Sequence, residues 1–464
     1  MGHRSAQAET LQQAQRFAEA RAAYEQALGE TPDDARVLGN YGGLLNELCL
    51  FEEAEAACLR AVAIDPRCWG AWSNLGNTMV ERQRFADAVA AFSNCLAVNP
   101  GHAPALANLG VALQSMGQPA SAVRLLRLAA GIEPGNAETQ CNLALALLAS
   151  GDYAAGFAAY EWRWRTRAMA PAVMPMRRWQ GEDFAGRTLL LHEEGGFGDT
   201  LQFVRFAQAA KARGGRVVLL ARRELASLLR RVRGLDAVVC AGDPLPAADV
   251  HCPLLSLPAV LGTTIGTIPA APYLTADAAL AAAWRERLDG WAAARGLSGP
   301  RIGLVWAGSP RRGWRGAALA DRRRSTTLAT LGTLASCAGA AFVSLQVGEA
   351  AAQAAEPPSG MALFDASSWL TDFDQTAALA SVLDLVIAVD TSTAHLAGAL
   401  GRPVWMLSRF DQCWRWLAGR DDTPWYPTMR LFRQEAPHEW AAPVGRMVER
   451  LRQEPNRGGW WHAA

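Results

Sequence analysis

Two patterns of apolar and polar positions follow one another along the chain. Over the first third, apolar and small residues recur at helical spacing inside a fixed 34-residue period. Pro32, Pro66, Pro100 and Pro134 keep that period, and so do Asn40, Asn74, Asn108 and Asn142. Phe17, Phe51, Phe85 and Tyr153 form an aromatic column in which Pro119 takes the fourth turn, and Ala20, Ala54, Ala88 and Ala122 form a column of small residues. One helix pair cannot bury its apolar face alone, so such units stack into a solenoid with a concave surface. Gly42, Gly76, Gly110 and Ala144 let paired helices approach closely, and the prolines stop the second helix of each unit.

From Arg187 the pattern changes to short buried-type runs, each followed by a helix-like stretch. "TLLLH", "GRVVLLA", "LDAVVCAG" and "ADVHCPLL" form one block. "RIGLVWAGSP", "AFVSLQVGE", "MALFDAS", "LDLVIAVDTSTAHLAGALG" and "PVWMLS" form a second. This alternation predicts parallel α/β sheets. Ligands in such sheets bind beyond the carboxyl ends of the strands, so two facing blocks define a cleft. The boundaries expected are a solenoid over 1–168, a linker over 169–186, a first α/β domain over 187–275, a helical bridge over 276–299, a second α/β domain over 300–436, and a closing helix and tail over 437–464. Val444, Met447, Val448 and Leu451 share one face of that last helix.

Two acids stand at strand ends. In "LLLHEEGGFGDTLQF", a strand enters a loop with Gly195, Gly196 and Gly198, then meets Asp199 ahead of a helix starting near Thr200. The loop fails the dinucleotide test G-x-G-x-x-G, because Leu201 stands where the last small residue is needed. No G-x-x-x-x-G-K-[ST] is present either. The glycines instead give room for a ligand to come close. Asp199 reads either as a base or as a helix cap. In "LVIAVDTSTAHLAGALG", Asp390 ends a strand, and Thr391, Ser392 and Thr393 open a helix whose N–H groups and hydroxyls suit a phosphate. His395 lies one turn further, as a structural residue or a ligand contact.

The 34-residue unit resembles the tetratricopeptide repeat. Its asparagines either hydrogen-bond locally or form a ladder along the concave face, where an amide offers donor and acceptor to an extended peptide. The ladder arrangement is similar to that of repeat-bearing O-GlcNAc transferases; Ala6 breaks it in the first unit. "DTSTAHLAGALGRPVW" resembles the D-[TS]-[GS]-x-x-H-x-A-x-A-x-G-x-P segment of the lipopolysaccharide heptosyltransferase family, and the G-D pair at Gly198–Asp199 resembles that family's catalytic site. The resemblance spans roughly residues 187–435. It implies a GT-B fold of two Rossmann-like domains, a nucleotide-diphosphate sugar as donor, diphosphate binding at Asp390–Thr393, and Asp199 as catalytic base. Repeats joined to such a half resemble bacterial repeat-bearing glycosyltransferases. The acceptor implied is a protein held by the repeats, such as flagellin or another surface protein.

The family's basic residue in mid-cleft has no lysine counterpart in "SPRRGWRGAALADRRRSTTL", which offers Arg324 and Ser325 ahead of a helix, with Arg322 close by. Glu349, or its rival Gln346, stands where the family has a ribose-side acid. The segment "DQCWRWLAGRDDTPWYPTMRLFRQ" reads either as a sugar platform, since aromatic faces stack on rings, or as packing at the domain seam. Transfer is expected to be metal-independent and inverting, with no cofactor, because a base, a helix N-terminus and arginines supply what the reaction needs. The alternative is a catalytically inactive repeat scaffold.

Composition narrows the rest. Half of the residues are apolar, about a fifth are charged, and the formal net charge is +1, which gives no footprint for nucleic acid. The nine cysteines have neither C-x-x-C nor zinc spacing, so reduced thiols are expected. No apolar run nears the ~20 residues of a membrane span, and the N-terminus has no signal-peptide core. A cytoplasmic location is expected.

Overall fold

The computed structural model describes residues 3–166, 169, 173–310, 315–337 and 339–453. The chain divides into two compact units, 1–170 and 171–464.

The first unit is a stack of antiparallel helix pairs: His3–Gln13 with Phe17–Glu30, Ala35–Glu47 with Phe51–Ile64, Trp69–Glu81 with Phe85–Val98, Ala103–Ser115 with Pro119–Ile132, and Ala137–Ser150 with Tyr153–Tyr160. The periodic columns explain it. Each proline lies two residues beyond a second helix, where it cannot continue the ladder. Ala20, Ala54, Ala88 and Ala122 are fully buried between helices. At Gly76 a Cβ would stand 2.5 Å from the Phe92 ring, so the close approach of that pair requires glycine. Some of the first helices start on side-chain caps: Asp34 accepts from the N–H groups of Arg36 and Val37, and Asn136 accepts from Thr139, as short polar side chains do at helix N-termini.

The second unit holds two parallel sheets. The first contains β1 (Arg177–Arg178), β2 (Thr188–His192), β3 (Arg216–Ala221), β4 (Ala237–Cys240) and β5 (Val250–Pro253) in the order β1-β5-β2-β3-β4. The second contains β6 (Arg301–Val305), β7 (Ala341–Ser344), β8 (Leu363–Asp365), β9 (Leu385–Val389), β10 (Val404–Ser408) and β11 (Met429–Arg433) in the order β11-β10-β9-β6-β7-β8. Counted from β6, that is the 3-2-1-4-5-6 order of a Rossmann sheet, whose direction reverses between its first and fourth strands. Strands β2, β9 and β10 are buried almost throughout, which explains their continuous apolar runs. The helix Ala278–Ala293 joins the sheets, and the closing helix Ala441–Gln453 buries Val444, Met447, Val448 and Leu451 against Trp405 and Phe432.

The stretch expected as a linker behaves differently where it is described. Arg177 and Arg178 pair in parallel with Val250 and His251 as an edge strand, and Trp179 and Phe184 are fully buried. Two large rings bring enough apolar area to anchor a segment whose sequence has no strand alternation. Residues 167–168 at the end of the expected solenoid, 170–172 of the expected linker, the two arginines at 311–312, and the tail 454–464 lie outside the described residues.

Candidate functional site

At the reversal point of the second sheet, β6 ends in Trp306, Ala307 and Gly308, and β9 ends in Asp390. Gln346 shapes this floor. Its Oε1 accepts from the N–H groups of Trp306 and Ala307, and its Nε2 donates to the carbonyls of Ala307 and Val347. All four polar positions of that buried amide are therefore used by backbone. Ser325 Oγ accepts from Gly308 N at 2.9 Å and is not part of the cavity wall. Glu349, in contrast, is solvent-exposed on the rim.

The helix Ser392–Ala399 starts beside this floor. Thr391 is its N-cap, yet no side chain caps it. The Thr391 hydroxyl is buried and has no hydrogen-bond partner among the described residues. Thus N–H groups and a hydroxyl are left for a ligand, in the arrangement that favours anions. The Asp390 carboxylate is turned aside: its Oδ2 accepts from Trp416 Nε1 at 3.0 Å. The Asp390 carbonyl accepts from Arg324 Nη1 at 3.0 Å, while the rest of that guanidinium pairs with Asp321. Arg324 ends the helix Arg315–Arg324, and with Ser325 it also precedes the 3₁₀ helix Ala329–Ser336, as expected. The run of helix formers before it, "AALADRR", extends a helix that the arginine cluster alone does not reveal.

His395 is buried in the first turns of the Ser392 helix. Its Nδ1 pairs with the Tyr426 hydroxyl at 2.9 Å. Burial pushes the imidazole down to about 4, against the opposing pull of Asp390, so it is neutral at neutral pH.

From the first sheet, β2 leads through Gly195 and Gly196 into the helix Phe197–Phe203. That helix starts three residues before Thr200, which puts Asp199 inside its first turn. Asp199 Oδ2 accepts from Gly196 N at 2.7 Å, and Oδ1 accepts from Arg415 Nη2 at 2.6 Å. Gly195 has φ +77°, and a Cβ there would meet Asp199 Oδ2 at 2.5 Å, so only glycine fits this turn. Gly198 faces the other helix: a Cβ would stand 2.9 Å from the His395 ring.

A single cavity of about 620 Å³ gathers these groups. Gly196, Gly198 and Asp199 line it from the first sheet, and Arg324, Gln346, Glu349, Asp390, Thr391, Ser392, Thr393 and His395 from the second. Gly195 and Ser325 act from behind its wall. Phe197 and Phe373 also line it, with ring centroids 4.9 Å apart, and so does Arg415; none of these three was singled out from the sequence. Arg415 lay within the Trp- and Arg-rich segment, but nothing local marks it as a partner of Asp199. The tryptophans of that segment, Trp414, Trp416 and Trp425, are buried and pack the seam between the sheets. Among the described residues no group of three or more His, Cys, Asp or Glu side chains could hold a metal ion, and no helix is long and apolar enough to cross a membrane.

The four asparagines of the solenoid divide. Asn40 and Asn74 line a polar groove of about 580 Å³ together with Glu9, Gln12, Glu47 and Asn77; Asn108 and Asn142 do not. Three of them donate back to the preceding repeat: Asn40 to Glu9, Asn74 to the Gly39 carbonyl and Asn108 to Asn77.

The chain thus joins a helical-repeat unit to an α/β unit in which Asp199 and the uncapped start of the Ser392 helix line one cavity. Residues 11–76 and 79–130 match the tetratricopeptide repeat, and residues 370–407, which contain β9, the Ser392 helix and most of β10, match glycosyltransferase family 9 (heptosyltransferase). The chain therefore carries tetratricopeptide repeats and a short segment that is similar to glycosyltransferase family 9. Protein FlbA of Caulobacter vibrioides is 28% identical over 329 residues, covering 65% of this chain and 53% of FlbA, so the chain spans about half the length of that relative. Among solved structures, MamA aligns at 21% identity over 34% of this chain and 92% of its own, with a TM-score of 0.30. A thermophilic tetratricopeptide-repeat protein of Thermus thermophilus aligns at 22% identity over 36% and 91%, with a TM-score of 0.33.

Proposed function

We propose that the second unit is a glycosyltransferase of the GT-B type, moving a sugar from a nucleotide-diphosphate sugar to a hydroxyl of a protein acceptor engaged by the repeats. The observation that carries this reading is the pairing, across one cavity, of Asp199 with the uncapped helix N-terminus at Thr391–Thr393. Asp199 takes the proton from the acceptor hydroxyl. The oxygen then attacks the anomeric carbon from the face opposite the phosphate, the bond from that carbon to the phosphate oxygen breaks, and the nucleoside diphosphate leaves. A carboxylate within hydrogen-bond reach serves as such a base. The departing charge is met by the N–H groups of the Ser392 helix, the Thr391 hydroxyl and Arg324, so the step needs no metal, and direct displacement inverts the anomeric configuration. Glu349 is the ribose-side candidate; Gln346 serves as the floor that holds Trp306 and Ala307. Asn40 and Asn74, in their polar groove, give the repeats a surface for an extended acceptor segment.

The test is a binding screen of nucleoside diphosphates and their sugars on the full chain, followed by mass spectrometry of cellular proteins from a deletion strain. Binding of a nucleoside diphosphate and loss of a glycan from one protein, flagellin or another, support the proposal. Failure to bind any nucleotide sugar would leave a repeat scaffold without transfer activity. A change confined to lipopolysaccharide would remove the protein acceptor.

A further inference from the structure

We infer that Arg415 is the positioning residue of this site, holding Asp199 in register with the diphosphate end of the cavity. The inference rests on the glycosyl-transfer reading above. Arg415 lies in the turn Trp414–Trp416 that follows β10, so it belongs to the second sheet, whereas Asp199 belongs to the first. The guanidinium is held on every side. Nη2 donates to Asp199 Oδ1 at 2.6 Å, Nε donates to Gln202 Oε1 one turn along the same helix, and Nη1 donates to Cys413 Sγ at 3.2 Å. Its carbon centre sits 4.6 Å from the Trp414 ring centroid and 5.7 Å from that of Phe203. A planar fork fixed in this way sets direction as well as charge.

Two further facts point to position rather than packing. Gln202 is fully buried, and its Nε2 has no hydrogen-bond partner among the described residues. A buried amide donor left unmade is costly, and its retention calls for an explanation; the Gln202 carbonyl oxygen is what anchors Arg415. Next, the same turn reaches the other acid: Trp416, fully buried, donates its indole N–H to Asp390 Oδ2. Residues 414–416 therefore touch Asp199 through one side chain and Asp390 through another. That turn spans the cavity's two chemical ends, and displacing it moves the base relative to the departing phosphate.

The experiment compares Arg415→Met, which keeps the stem and loses the fork, with Arg415→Lys, which keeps the charge, in the full-length protein. The probes are inorganic pyrophosphate for binding and, for turnover, the nucleotide sugar that supports transfer in the screen above. A misplacement of about 1 Å costs about 100-fold in rate, so Arg415→Met is expected to lower kcat about 100-fold while pyrophosphate affinity and donor KM stay within twofold. Arg415→Lys should recover part of kcat, and guanidinium ion should restore turnover to Arg415→Ala but not to Asp199→Asn. Loss of pyrophosphate binding at unchanged kcat would overturn the inference and make Arg415 a donor ligand. Unchanged turnover in Arg415→Met would overturn it too, while leaving the transferase reading intact. If the wild-type protein turns over no nucleotide sugar, the transferase reading fails and this role goes with it.

Discussion

Two strand–turn–helix units meet in the cavity, built alike and left in opposite states. β2 runs through Gly195 and Gly196 into the helix Phe197–Phe203; β9 runs through Asp390 and Thr391 into the helix Ser392–Ala399. In the first, the acid lies inside the first turn, and its carboxylate bonds back to Gly196 N. That helix end is filled by its own negative charge, which the helix dipole stabilises. In the second, the acid precedes the helix and is turned to Trp416, so the N-terminal groups stay uncapped. One shift of a carboxylate along the turn decides which helix end is filled from within and which is left uncapped. A glycine-rich loop after a strand is therefore no sufficient sign of a phosphate site: what already occupies the helix end matters more.

The contrast can be broken most severely at the filled end. Asp199→Asn keeps one acceptor oxygen for the Gly196 N–H, gives up the one that Arg415 uses, and removes the proposed base. We expect transfer to fall about 10³-fold, equivalent to ~4 kcal/mol of barrier, with nucleoside diphosphate binding retained; calorimetry alongside turnover separates the two. At the open end, the largest expected effect is on stability against pH. His395 is held down at about 4 by burial in the folded state, against ~6.5 unfolded. Above pH 6.5 it is neutral in both states and imposes no penalty. As pH falls from 6.5 towards 4, the unfolded chain takes a proton that the folded one refuses, so stability is lost. The shift corresponds to up to about 3 kcal/mol. Urea unfolding of wild type and His395→Gln at pH 7 and pH 4.5 should show a larger pH loss in the wild type than in the variant, which keeps only the losses from groups such as His102 and His251.

How much of this was legible depended on the distance over which each feature is decided. The solenoid was readable because its columns are local and repeat. Asp390, Thr391, Ser392, Thr393 and His395 were readable because one continuous strand–turn–helix places these five at the cavity. Arg415 was not, since it meets Asp199 across 216 positions of sequence and sits among tryptophans whose burial hides its purpose. In the sequence Gln346 is only a rival of Glu349 for the ribose side, and its commitment to backbone on all four positions is a property of the folded loop. The same holds for Arg177–Arg178, whose pairing with β5 depends on where Trp179 and Phe184 find a core.

The closeness of the two units gives a smaller effect. Gly198 lies where a Cβ would come within 2.9 Å of the His395 ring and 3.6 Å of the Ser392 backbone. The ring cannot swing away freely, because Tyr426 holds it. Gly198→Ala should therefore push the helices apart and destabilise the second unit by about 2 kcal/mol, in the range of overpacked cores. Tryptophan fluorescence during urea unfolding reports this directly, since Trp416 lies beside His395. An unchanged midpoint would mean that the two helices slide without cost.

The finest test acts on the open helix end alone. Thr391→Val keeps the branched shape of the N-cap side chain and deletes the buried hydroxyl that has no partner among the described residues. If that hydroxyl is reserved for an anion, two quantities should move in opposite directions. Stability of the free protein should hold or rise by up to ~1 kcal/mol, because an unmade polar group has been removed. Affinity for inorganic pyrophosphate should fall about tenfold, the worth of one hydrogen bond to a charged group. A variant that lost stability as well would show that Thr391 serves the fold, and the difference between the filled and the open helix end would then reduce to a difference in capping.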